Sequence, residues 1–235
     1  MLWYKGWLET RYRLLFCIGW ATVFLALVHP AHTTPMPLGA KGSVFSVVML
    51  SCPMVVLVGC AMLGGSGVVT QPTLQAAKGL HGSTLYTLSL PVSRVRLLAV
   101  RASVGWLEII GLVSLLCVSL WVLAPALRTV ATPLQVVKYA ATIIACGSML
   151  YGVSVLLATF LDDQWRTWGA MGIGVGLWWL CGYAKVPEAT NIFRAMREGS
   201  PLMAHAMPWG AMGFSVAMGV ALVIAAAKVV QAREY

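Results

Sequence analysis

Six stretches of almost unbroken apolar sequence recur along this chain, and no other feature limits its fold as much. They cover about residues 14–28, 44–63, 102–123, 136–160, 167–184 and 209–230. A helix needs about 20 apolar residues to cross the ~30 Å hydrocarbon layer of a bilayer. Of the 235 residues, 60% are hydrophobic and 10% are charged, with a mean hydropathy of +0.84. A soluble domain carries about 25% charge, so one water-facing core could not take in this much apolar surface. The expected fold is an all-α membrane protein of six transmembrane helices, a single domain over residues 1–235. The connections are short except for residues 71–101 and 185–208.

Segment 71–101 reads QPTLQAAKGLHGSTLYTLSLPVSRVRLLAVR. It carries Lys78, Arg94, Arg96 and Arg101 and no acid. Loops rich in Lys and Arg stay on the cytoplasmic side. With the N-terminus inside, Lys5, Arg11, Arg13, Lys78, Arg94, Arg96, Arg101, Arg166, Lys228 and Arg233 fall inside. Lys41, Arg128, Lys138, Lys185, Arg194 and Arg197 fall outside. The bias gives both termini to the cytoplasm. The formal net charge of +9 is spread over short loops, which excludes a nucleic-acid surface and suits orientation and anionic headgroups.

Block 14–28 follows basic residues, as a signal-peptide core would, but VHPAHTTP after it offers no small-x-small cleavage site. An uncleaved span is expected. Before it, Trp3, Trp7 and Leu14 share one helical face of WYKGWLETRYRLL, while Lys5, Glu9 and Arg13 run at i, i+4 on another. Tryptophans beside a span suit the headgroup layer, so residues 1–13 are expected as an interfacial helix. In segment 82–90, Ser83 can cap a short helix with Leu85 and Leu88 on one face. The alternation of Tyr86, Leu88 and Leu90 with Thr87 and Ser89 is strand-like instead. A lone strand at a membrane surface has no pairing partner, so a helix ending at Pro91 is expected.

Several patterns that resemble chemical sites fail on inspection. GLHGST lacks the lysine and the spacing of a phosphate loop. Cys17, Cys52, Cys60, Cys117, Cys146 and Cys181 all sit in apolar blocks without CxxC or metal spacing, and read as buried thiols. No two of His29, His32, His81 and His205 face each other mid-span. The methionines around His205 are irregularly spaced and read as apolar filler. No metal or cofactor is expected on the chain, and no catalytic residue. Glu108 is the acid deep enough to be intramembrane; it lies seven residues after Arg101 on one helical face, about 10 Å along the axis. Arg101 and Glu108 are candidates for intramembrane coupling, or Glu108 contacts Arg101 or a neighbouring helix. Asp162 and Asp163 are expected to begin the fifth span, where negative charge favours a helix N-terminus. Gly172 and Gly176 form GxxxG and read as helix packing, within the chain or between subunits. Residues 185–208 are too polar to span and are expected as one or two short helices at the outer leaflet.

Together these pieces resemble the permease subunit of an ABC-2 type transporter. WYKGWLETRYRLL is similar to that family's N-terminal interfacial helix. HGSTLYTLSLPVSRVRLLAVR is similar to its cytoplasmic segment, with TLSLPVSRxRLL the most specific part. The resemblance covers nearly the whole chain and implies a bacterial plasma-membrane exporter. Two permeases, identical or related, would pair, each bound to a cytoplasmic ATPase subunit that holds ATP and Mg. It implies that Ser83, Leu85, Tyr86, Leu88 and Leu90 form the coupling helix on the ATPase, with Pro91, Ser93 and Arg94 fixing its exit into the third span. The cargo would be amphipathic: a lipid, glycan, drug or peptide antibiotic. Two other readings are a membrane-embedded enzyme and a non-transporting immunity or regulatory subunit that binds a peptide or lipid through residues 185–208.

Overall fold

The computed structural model describes residues 2–28, 41–65, 93–123, 128, 131–184, 186–204 and 206–232. These residues form helices, with no strand among them. The order is α1 (Leu2–Val28), α2 (Lys41–Leu63), α3 (Arg94–Leu123), α4 (Pro133–Leu157), α5 (Asp163–Tyr183), α6 (Ile192–Met196) and α7 (Trp209–Ala232).

Helix starts follow local chemistry. The Ser93 hydroxyl accepts the Arg96 N–H at 3.3 Å, capping α3. Thr132 and Gln135 cap one another reciprocally at the start of α4, with Pro133 in the first turn where its missing N–H costs nothing. Asp162 and Asp163 open α5, as expected from their sequence. Asn191 caps α6 by accepting the Arg194 N–H at 3.0 Å. That helix is the short one expected within residues 185–208, and turns occupy residues 188–190 and 197–199.

The N-terminal segment and the first apolar block, expected as separate elements, form one unbroken helix of 27 residues. No proline or glycine pair interrupts the pattern at the join, so the backbone has no reason to break there.

The long helices alternate in direction. Gly6 lies against Val104, and Thr10 against Glu108, so α1 and α3 run in parallel. Gly147 meets Val56, and Gly64 meets Ser154, so α2 and α4 share the opposite direction. α7 runs alongside α4, with Ser215 beside Ser148 and Gly219 beside Gly152. The core lies where α2, α3 and α4 converge, around Val55, Val56, Ile109, Val113, Ile143 and Cys146. Cys17, Cys52, Cys60, Cys117 and Cys146 are buried thiols outside any disulfide.

Among the described residues, three helices are long and apolar enough to cross a membrane: Val95–Val122, Pro133–Leu157 and Trp209–Ala232. α1 carries its charges in its first half, and α5 opens with Asp163 and Arg166. Large apolar side chains point outward on most of the long helices, including Leu15, Val118, Val137, Trp179 and Val220. That surface suits hydrocarbon rather than water.

Candidate functional site

α1, α3 and α5 begin at one end of the bundle, where α2 and α4 finish. α2 ends and α5 begins here, which brings orphan C=O and N–H groups to one place, while α1 passes by at Arg13, well inside the helix. The chain fills this end with charge. Arg13 on α1 forms a bidentate pair with Asp163 in the first turn of α5; its Nη1 donates to Asp163 Oδ1 at 2.8 Å and its Nη2 to Oδ2. Arg166, one turn further along α5, donates from Nη2 to the same Oδ1 at 2.9 Å. Both guanidinium groups also donate to the Met62 carbonyl, at 3.2 Å from Arg13 and 3.1 Å from Arg166. That carbonyl is in the last turn of α2, where the regular helical bonding pattern runs out.

Arg166 is only 1% exposed, and its Nε and Nη1 have no hydrogen-bond partner among the described residues. A charge this deep persists only with a counter-charge, and Asp163 supplies it. One carboxylate, shared by two arginines and set beside a helix-terminal carbonyl, therefore ties α1, α2 and α5 into a single end-plate. Asp162 is exposed and stands outside this cluster. The two aspartates do not converge on a common point as a catalytic or metal pair would. Among the described residues no three His, Cys, Asp or Glu side chains gather as a metal site requires.

A second polar contact crosses from α1 to α3. The Thr10 hydroxyl donates to Glu108 Oε1, and both residues are buried. Glu108 thus contacts a neighbouring helix, one of the two arrangements its position allowed. Its Oε2 is buried without a hydrogen-bond partner among the described residues. Arg101 is buried on the same helix. Beside Glu108, α1 and α3 enclose a groove of about 590 Å³ that runs from Trp3, Tyr4 and Trp7 to Leu115.

The expected coupling residues Ser83, Leu85, Tyr86, Leu88, Leu90 and Pro91 lie outside the described residues, as do His29, His32, His81 and His205. Arg94 is the first residue of α3. Gly172 and Gly176 are exposed, and a Cβ at either would meet no described atom within 4 Å. Packing of α5 inside the chain falls instead to Gly174, where a Cβ would collide with Leu57. Sequence reasoning missed the Arg13–Asp163–Arg166 cluster. The i, i+3 spacing of Asp163 and Arg166 was visible, but nothing local marks Arg13 as their partner.

No family model matches this chain, and no curated protein or solved structure does.

Proposed function

We propose that this chain is the permease subunit of an ABC-2 type exporter. In this reading six helices span a bacterial plasma membrane with both termini in the cytoplasm. A second permease pairs with it, and an ATPase subunit docks on its basic face. The observation that carries the reading is segment 71–101, basic and acid-free, closing on TLSLPVSRVRLL. Two structural features support it. The segment departs after Gly65 and returns at Ser93, and the Ser93 side chain caps the third long helix as the family resemblance implies for its exit. The charged end-plate of Arg13, Asp163 and Arg166 is at the end of the bundle where that segment attaches. A push on the segment would therefore meet α1, α2 and α5 together.

Leu85 and Leu88 form the docking face on the ATPase, and Tyr86 and Leu90 flank it. The chain itself carries no ATPase motif, so ATP hydrolysis belongs to the partner. Affinity purification from the native membrane is expected to bring down a P-loop ATPase in stoichiometric amount. The double change Leu85→Asp and Leu88→Asp is expected to release that ATPase while the permease stays inserted. Undiminished transport and ATPase stimulation in the double variant would remove the docking assignment. A solitary chain under mild detergent would remove the exporter reading itself.

A further inference from the structure

The groove between α1 and α3 has three zones in line. At its mouth stand Trp3, Tyr4 and Trp7, all exposed, with the Tyr4 and Trp7 rings 6.3 Å apart. Next comes Glu108, 8% exposed, whose Oε2 lacks a hydrogen-bond partner among the described residues while Oε1 is held by Thr10. Beyond it the walls are wholly apolar, with Ile18 from α1 and Leu112 and Leu115 from α3. Gly111 leaves that trough open, since a Cβ there would touch no described atom within 4 Å. Leu115 lies seven residues beyond Glu108, about 10 Å further along the helix.

We infer that this groove binds an amphiphile with a primary ammonium head and a single apolar tail. A carboxyl oxygen buried without a donor is costly. An ammonium group supplies both the donor and the opposite charge, and a charge-assisted bond at such a site is among the strongest available. The aromatic faces at the mouth attract the same cation. The apolar trough takes the tail. Among the described residues no Arg or Lys lines the groove, so a phosphate next to the amine would meet no cation there. That favours an aliphatic amine over an ethanolamine phospholipid. The inference does not rest on the transport reading, because binding is measured on this chain without any ATPase.

The test uses the full chain in phosphatidylglycerol nanodiscs titrated with dodecylammonium, with bound molecules per chain counted by native mass spectrometry. One equivalent is expected to bind. Glu108→Gln keeps the acceptor for Thr10 but removes the charge, and is expected to weaken binding about tenfold or more. Gly111→Leu fills the trough from an exposed position, and is expected to weaken binding without touching the carboxyl. It carries the test if the Glu108 variant proves unstable. Equal binding by wild type and both variants would overturn the inference. So would equal binding of dodecyl sulfate, which would make the groove an unselective greasy face. Tighter binding of phosphatidylethanolamine than of dodecylammonium would overturn the choice of occupant.

Discussion

Between α4 and α7 the backbones touch; among α1, α2 and α5 two arginines and an aspartate fill the space instead. The first seam is the most extensive helix pair in the described chain. A Cβ on Gly152 would come within 2.8 Å of the Gly219 carbonyl oxygen, and one on Gly219 within 2.5 Å of the Ser148 carbonyl oxygen. In lipid there is no hydrophobic drive to bring helices together, so close van der Waals approach between small residues must do it. The second seam cannot use that device. α2 ends and α5 begins there, and those termini leave polar groups that demand partners, while α1 runs past and supplies Arg13. The two regions show the alternatives open to a bundle in hydrocarbon. Where helices run side by side, side chains are removed to bring backbones together. Where helices stop, charge is brought in to satisfy what the backbone leaves open.

The largest test of this contrast is Asp163→Ala. It leaves Arg166 buried beside Arg13 with no counter-charge. Breaking a buried pair from one side costs about 3–5 kcal/mol. A large fall in the unfolding midpoint of the purified chain in mild detergent is expected. The triple change Arg13→Met, Asp163→Leu and Arg166→Met removes every charge together. It is expected to recover most of that loss, because matched apolar replacements of buried ion clusters are often close to neutral. If the triple variant were as unstable as the single one, the cluster would be serving the chain through its hydrogen bonds to Met62 rather than through charge balance.

Next in size is Gly219→Leu. No flexible side-chain end faces the new atoms; the Ser148 backbone does. The helices must separate, at a cost of about 1–3 kcal/mol and occasionally more. Gly172→Leu is the matched control, since it meets open space and should stay within about 0.5 kcal/mol of wild type. Both are read from the same thermal unfolding curves. Equal losses at the two glycines would mean that the exposed face of α5 is covered by another chain in the micelle, and the contrast between the two seams would have to include a third, intermolecular one.

The sequence made the helices legible because each apolar block is long, and periodicity survives without knowledge of the fold. It also announced that Asp162 and Asp163 begin a helix, since that is a local preference. The Thr132–Gln135 capping box was equally local and could have been read from its spacing. It could not show which side of a helix faces which neighbour. GxxxG pointed to Gly172 and Gly176, but spacing says only that two small residues share a face. Gly174, between them, is the one turned toward Leu57. Gly152 and Gly219 stand in no GxxxG, only in the looser Ser-xxx-Gly spacings 148–152 and 215–219, yet they meet backbone to backbone. Likewise Glu108 was recognisable as a buried acid from its place in an apolar block. Its partner Thr10 was not, because that contact joins residues 98 apart along the chain. The end-plate joins Arg13 to Asp163 over 150 residues. Such pairings are properties of the assembled bundle and leave no trace in a local window.

The smallest expected effect decides whether the α4–α7 seam is held by contact or by hydrogen bonds. Ser215 is fully buried there. Its hydroxyl donates to the Cys146 carbonyl at 2.7 Å, accepts from the Met149 N–H at 3.2 Å and sits 3.3 Å from the Ser148 hydroxyl. This looks like a strong polar lock, but the backbone groups it touches are in the interior of α4 and already have partners within the helix. Removing the hydroxyl therefore orphans nothing on the backbone, whereas removing the Asp163 carboxylate leaves a buried guanidinium group without its counter-charge. Interhelical hydrogen bonds in membranes average about 0.6 kcal/mol. Ser215→Ala is expected to cost about that much, and the small side chain keeps the close approach at Gly219 intact. A double-mutant cycle with Ser148→Ala isolates the hydroxyl pair. A coupling above about 2 kcal/mol would exceed what bilayer hydrogen bonds usually supply. The seam would then be polar in its energetics as well, and the division between a contact-held flank and a charge-held end would fail.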